Sequence, residues 1–132
     1  MDAVTDSHAL MWFASGASRK LGRDALRIYR LASEDRARIH VPTLCLVELF
    51  DQVRRGRYRL QQSPREWLRL LRATSSYRVV ALDVDVVLAA ESLYDIPERA
   101  DRLIAATARS LDLPLITRDR EIGRVAGLEV VW

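Results

Sequence analysis

The amino-acid sequence predicts an α/β fold built on a parallel sheet, and three observations predict it. Short apolar or β-branched runs recur along the chain, at Ala3–Thr5, Arg38–Val41, Tyr77–Leu82, Pro114–Thr117 and Glu129–Trp132. Between them lie longer stretches whose apolar residues recur at helical spacing. No repeat, low-complexity stretch or Pro/Gly/Ser-rich linker divides the 132 residues, so residues 1–132 read as one domain. Strands that alternate with helices in this way form parallel sheets through right-handed crossovers.

The elements follow in order. After the first strand, Ala9, Leu10, Trp12 and Phe13 mark a helix that Ser15-Gly16 stops. Ala25, Ile28, Tyr29 and Ala32 place the core stripe of a second helix over Arg23–Ser33. The strand Arg38–Val41 ends at Pro42, and Thr43 is positioned to cap a helix running to about Arg55, with Gly56 as its left-handed stop. Ser63-Pro64-Arg65-Glu66 combines an N-cap, a proline at the first helical position and a glutamate at the third, and opens a helix carrying Trp67, Leu70 and Leu71. Tyr77–Leu82 alternates like a strand. Asp83 or Asp85 caps a helix through Leu93, and Arg99–Leu111 forms another. Pro114–Thr117 is a short buried strand; a helix over Arg120–Val125 and a strand at Glu129–Trp132 close the chain.

Composition narrows the function classes. At 49% hydrophobic and 30% charged, the chain has enough apolar surface to fold, which excludes a disordered segment. No apolar run approaches the roughly 20 residues of a membrane span. The N-terminal run Met1–Asp6 carries two acids and no basic flank, unlike a signal peptide, so a cytoplasmic protein without membrane partners is expected. The single cysteine, Cys45, lies among Leu44, Leu46 and Val47 and reads as a buried, inert thiol. His8 and His40 lack partners at zinc-ligand spacing and read as ordinary surface or core histidines. The net charge of +3 is unevenly spread: residues 51–78 hold eight Arg against Asp51 and Glu66, while residues 79–132 hold six Arg against ten acids. Arg54, Arg55, Arg57 and Arg59 cluster in the basic stretch, either as a phosphate-backbone footprint or as a solvated helix end.

Four carboxylates stand in apolar or strand-end settings. Asp6 follows the first strand, Glu48 lies inside Leu44–Phe50, Asp101 shares a helical stripe with Ile104, Ala108 and Leu111, and Asp119 follows Leu115-Ile116-Thr117. Asp6 and Asp119 also suit helix N-caps, and Asp101 suits a first-turn pairing with Arg99 or Arg102. A buried carboxylate without a partner is costly, so four on the inner side need arginine partners or a divalent cation. In open α/β sheets, sites assemble at the carboxyl ends of the strands. All-oxygen donors of this kind suit Mg²⁺ or Mn²⁺ rather than zinc.

These segments resemble, in order and over essentially the whole chain, the PIN-domain ribonucleases of the VapC toxin type. Thr5-Asp6-Ser7-His8-Ala9-Leu10-Met11-Trp12 is similar to the family's opening motif, with Ser7 where Thr is commoner. Val41–Glu48 resembles the strand-to-helix segment that delivers a second acid. Ala100–Ala108 is similar to the family's most recognisable stretch, and Leu115–Ile122 resembles the segment with the last acid. The ending Glu129–Trp132 is similar too. Asp2 departs from the pattern, whose first strand starts more apolar.

The resemblance implies a three-layer PIN-like fold with four or five parallel strands flanked by helices. It implies an Mg²⁺- or Mn²⁺-dependent endoribonuclease, inhibited as a toxin by a cognate antitoxin and usually dimeric. By position it makes Asp6, Glu48, Asp101 and Asp119 the catalytic and metal-binding quartet. Thr117 matches a hydroxyl residue near the last acid. Glu98 is either an accessory metal or water ligand or a surface residue. Arg54, Arg55, Arg57 and Arg59 would contact either the RNA substrate or the antitoxin. A catalytically inactive PIN-like module that binds RNA or protein is the alternative, and the intact quartet counts against it. A haloacid-dehalogenase phosphatase would need an acid where His8 stands, and both it and a receiver domain need a late lysine, whereas the one lysine is Lys20.

Overall fold

A computed structural model describes residues Met1–Trp132. Five parallel strands form one sheet in the order β3-β2-β1-β4-β5: β1 (Asp2–Thr5), β2 (Arg38–Pro42), β3 (Tyr77–Val80), β4 (Leu115–Ile116) and β5 (Val130–Val131). Seven helices flank it: α1 (Ser7–Ala14), α2 (Arg23–Ser33), α3 (Thr43–Arg54), α4 (Pro64–Ala73), α5 (Val84–Ala90), α6 (Arg99–Leu111) and α7 (Arg120–Ala126). A single 3₁₀ turn at Ser18–Lys20 joins α1 to α2. The parallel α/β architecture expected from the sequence is therefore present, with five strands.

β1 is the middle strand, and Ala3, Val4 and Thr5 are fully buried. Val4 N–H donates to the Pro114 carbonyl at 2.9 Å and Asp6 N–H to the Ile116 carbonyl at 3.0 Å, which fixes the ends of β1 and β4 together. The chain runs outward from β1 to β2 and β3, then crosses back through α6 to β4 and β5. The strand order thus reverses between β1 and β4, where a crevice opens at the strands' carboxyl ends. Thirty buried apolar residues form one core around the sheet. Along α6, Ala105, Ala106 and Ala108 are buried, and their small side chains let the helix sit close to β1 and α5.

Several boundaries differ from the sequence reading. Pro42, not Thr43, takes the N-cap position of α3, and no side chain caps that end. Asp83 rather than Asp85 caps α5, by accepting from Val86 N–H at 3.0 Å. That helix ends at Ala90, and Leu93 is buried in the turn beyond it. β3 stops at Val80, leaving Ala81 and Leu82 exposed, and β5 shrinks to two residues. Leu111 is 38% exposed, so the inward stripe of α6 ends before it. Asp2, the unusual acid in β1, meets the buried His40 of the adjacent strand at 3.0 Å, and that hydrogen bond holds its carboxyl below the usual range. Ser63 and Gly56 behave as expected: Ser63 accepts from Glu66 N–H, and Gly56 turns left-handed with φ +74°.

Gly123 is the tightest contact of the outer sheet. A methyl group there would overlap the Val130 side chain and stand 3.1 Å from the Leu128 carbonyl oxygen, pushing α7 off β5. Gly123→Ala should therefore destabilise the protein by about 1–3 kcal/mol in urea unfolding, whereas its helix propensity alone would favour alanine.

Candidate active site

The crevice at the strand ends is an open cavity of about 400 Å³. Asp6, Glu48 and Asp101 line it, brought there by the carboxyl end of β1, the second turn of α3 and the first turn of α6. Glu98, Asp51 and Gln52 add to the polar wall. Asp119 does not line this cavity. It is exposed, three residues past the end of β4 and two past the buried Thr117, and stays within electrostatic reach of Asp101.

Asp6, Glu48, Glu98 and Asp119 each accept a hydrogen bond that the fold supplies, and the Asp101 carboxylate does not. Asp6 caps α1 by accepting from Ala9 N–H at 2.8 Å. Glu48 accepts from the hydroxyl of the buried Ser7. Ser7 thereby ties α1 to α3 across the crevice floor, where the buried Cys45 thiol also donates to the Thr5 carbonyl at 3.6 Å. Glu98 caps α6 by accepting from the backbone N–H of Asp101 at 2.7 Å, a role that its place before the helix permits and the sequence reading did not assign. Asp119 caps α7 through Glu121 N–H at 3.0 Å, and its own N–H donates to Thr117 Oγ1 at 3.2 Å. Capping and site membership are thus not alternatives for Asp6: the same carboxylate does both.

The electrostatics show crowding of like charge. Burial pushes the Asp6 carboxyl up, against opposing hydrogen bonds from Ala9 and Thr117. Asp101 is pushed up to about 6, first by loss of water and then by the negative charge of Glu98, Asp119, Asp6 and Glu48. Burial also pushes the Cys45 thiol up, which keeps it the inert group expected.

With the side chains as they stand, no three carboxylate, imidazole or thiol groups are arranged to hold one ion. The reason is visible in the hydrogen bonds: Glu48 is drawn to Ser7, and Asp6 and Asp119 to helix N–H groups. The chemistry of the donor set nevertheless fits a hard divalent cation, because every converging acid offers oxygen and their mutual repulsion is the kind a cation relieves.

The basic cluster divides. Arg55, Arg57 and Tyr58 line the acidic cavity, whereas Arg54 lines neither this cavity nor the next, and Arg59 faces a second cavity. Gly56 makes the division, because its left-handed turn reverses the chain after α3 and lets Arg57 Nη1 donate back to Gln52 at 3.3 Å. Two further groups beside the acids were given no role from the sequence. His8 is exposed at the cavity, and Arg118 lies over the Trp12 ring at 5.3 Å, close enough to act on the Asp6 charge. Their positions in the chain, His8 two residues after Asp6 and Arg118 immediately before Asp119, were the available signal.

The family described as PIN domain matches residues 3–128. No curated protein matches the chain in sequence. Among solved structures, the chain is similar to a VapBC2 complex from Rickettsia felis bound to a promoter DNA fragment. The TM-score is 0.70 at 15% identity, covering 98% of this chain and 97% of that one. It is also similar to DNA-bound VapBC from Salmonella typhimurium, with TM-score 0.68, 16% identity, and coverage of 98% and 96%. FitAcB from Neisseria gonorrhoeae gives TM-score 0.63 and 19% identity, covering 98% and 96%. At these identities the likeness is one of fold.

Asp101 binds a proton more tightly in the folded chain than its ordinary value of 3.8 implies for the unfolded one. Its contribution to stability therefore falls as pH rises from 3.8 through about 6 and is fully lost above that. In metal-free buffer Asp101→Asn should stabilise the protein at pH 7.5, by about 1 kcal/mol once solvent screening of this half-exposed group is allowed for. Melting curves should show the gain vanishing by pH 4.

Proposed function

Since the chain belongs to the PIN domain family, we propose that it is a divalent-metal-dependent endoribonuclease acting as the toxin of a toxin–antitoxin pair. The observation that carries this reading is the meeting of Asp6, Glu48 and Asp101 with Arg55 and Arg57 in one cavity at the sheet's switch point. Carboxylates suit a hard cation, and arginines suit the phosphate chain of the substrate.

Asp6, Glu48, Asp101 and Asp119 would hold Mg²⁺ or Mn²⁺. The cation supplies an activated water and charge neutralisation at the phosphate. The protein's own groups do the rest. Glu48, held by the Ser7 hydroxyl, would be a ligand of the cation, and Thr117 fixes the backbone that presents Asp119. Glu98 keeps the first turn of α6 in place under Asp101. Arg55 and Arg57 hold the phosphates flanking the scissile one, and Tyr58 offers a ring for base stacking. Water adds to phosphorus as the bond to the leaving ribose oxygen breaks.

A second copy of the chain is the expected structural partner, and a cognate antitoxin the expected inhibitor. Supporting the first is α5, whose Val84, Val87 and Leu88 are 71%, 55% and 65% exposed and share one face. Apolar patches of this kind mark protein contacts. A cytoplasmic setting, where cellular RNA and an antitoxin are both present, completes the reading.

Incubation with a mixed single-stranded RNA pool tests the activity. Cleavage should require Mg²⁺ or Mn²⁺ and disappear with EDTA and with Asp101→Asn. Cleavage that survives Asp101→Asn overturns the assignment. A well-folded protein that neither cleaves nor binds Mn²⁺ is instead the inactive binding module. Replacing Arg57 by Ala should weaken binding evenly across RNA sequences and reduce the salt slope by about 1; an unchanged slope would move Arg57 to the antitoxin contact. Light scattering should show Leu88→Glu converting a dimer to a monomer.

A further inference from the structure

Arg118 stands between Thr117 and Asp119, and the chemistry described above does not use it. It is exposed, and its guanidinium carbon lies 5.3 Å from the centre of the Trp12 ring. None of the salt bridges involves it, although Asp119 is its neighbour in the chain and its charge reaches Asp6. Arg69 and Arg124 behave differently: each grips a glutamate one turn away on its own helix.

The platform under Arg118 is fixed. Trp12 is buried, and Trp132 meets its ring edge-on at 5.8 Å. A guanidinium held over a ring uses its flat face there and keeps its in-plane N–H groups for another partner. Such a side chain has already lost rotamer freedom, so binding an anion orders it less than it would order a free arginine.

His8 connects this platform to the acids. Its ring stands 5.8 Å from Trp12, one turn away on the same face of α1, and it also lines the acidic cavity. Arg55 and Arg57 line that cavity from the end of α3 and the turn after it. The sheet order separates the two groups: α3 follows β2 on one side of β1, and Arg118 follows β4 on the other. Positive charge with no carboxylate partner therefore stands on both sides of Asp6. A nucleic-acid strand carries an anion at every residue, so one strand laid over the acids brings a phosphate to each side. We propose that Arg118, held on Trp12, binds the RNA phosphate on the far side of the cleaved bond from Arg55 and Arg57, so that the strand is clamped on both sides of the acids. This rests on the ribonuclease reading above and adds a substrate-binding residue to it.

Binding and cleavage are read separately. Fluorescence anisotropy follows a labelled, mixed-sequence single-stranded RNA in EDTA, where a metal-dependent nuclease leaves it intact, from about 50 to 200 mM salt. Arg118→Met keeps a stem on the ring and removes the charge. It should lower the salt slope by about 0.7, the increment of one single-strand phosphate, so that its affinity loss is roughly 2.5-fold larger at the low-salt end. Arg118→Lys should restore the slope, and Arg57→Ala/Arg118→Met should lose about twice as much slope as either change alone. With metal, Arg118→Met should raise KM while kcat changes little. A purely structural role would lower the melting temperature without moving the slope, and that result overturns the proposal. A lowered slope in a protein that never cleaves keeps the clamp and sinks the nuclease. Cleavage with slope and KM both unchanged in Arg118→Met sinks the clamp and keeps the nuclease. An unchanged RNA slope with weakened binding of a poly-glutamate peptide overturns the proposal in favour of an acidic protein partner.

Discussion

β1 is hydrogen-bonded on both flanks, to β2 and to β4, and the chain winds away from it in both directions. Reversing the strand order at this one place splays the loops that follow β1 and β4, which would otherwise be covered by a crossover. The bond from Asp6 N–H to the Ile116 carbonyl sits at that split, joining the residue after β1 to the last residue of β4. Asp6 is therefore placed by the sheet itself. Glu48, Asp101 and Asp119 reach the same region from three different elements, each entering from the carboxyl end of the sheet or from a helix start beside it. A slip of one residue between β1 and β4 would turn Thr5 out of the core and Asp6 away from the crevice.

Gathering these carboxylates opposes stability, and the fold limits the opposition with N–H groups rather than with cationic side chains. None of the salt bridges involves Asp6, Glu48, Asp101 or Asp119. Asp6 and Asp119 accept from helix N–H groups, where the macrodipole also favours a negative charge. Asp101 has no such partner for its carboxylate and takes the largest shift. Had arginines neutralised the cluster, the crevice would be a structural ion-pair network. Left without them, its charge is open to a cation from solution.

Much of this was legible in the sequence because periodicity and capping act locally. Ser63-Pro64-Arg65-Glu66 and the Ala25–Ala32 stripe state their helices without reference to the rest of the chain, and the apolar runs locate all five strands. Asp6 and Asp119 could be placed from strand-end position, and Glu48 and Asp101 from their apolar helical settings. What could not be read depends on contacts between distant segments. Ser7 and Glu48 are 41 residues apart, and nothing local shows that one holds the other. Asp2 looks misplaced until the neighbouring strand brings His40 beside it. Asp119 follows a buried strand as expected, yet it is exposed, caps α7 through Glu121 N–H and does not line the cavity.

The arginines make the same point from the opposite side. In the sequence Arg54, Arg55, Arg57 and Arg59 are one cluster, and a single role for all four is the natural reading. In space the last turn of α3 and the left-handed Gly56 distribute them: Arg55 and Arg57 to the acidic cavity, Arg59 to the neighbouring one, Arg54 to neither. Gly56 has open space where a Cβ would stand, so its requirement is the positive φ and not close packing. A side chain there would strain the turn that sends Arg57 back towards Gln52. The geometry of that one residue, rather than the number of arginines around it, separates the positive charges that stand at the acids from the one at the neighbouring cavity.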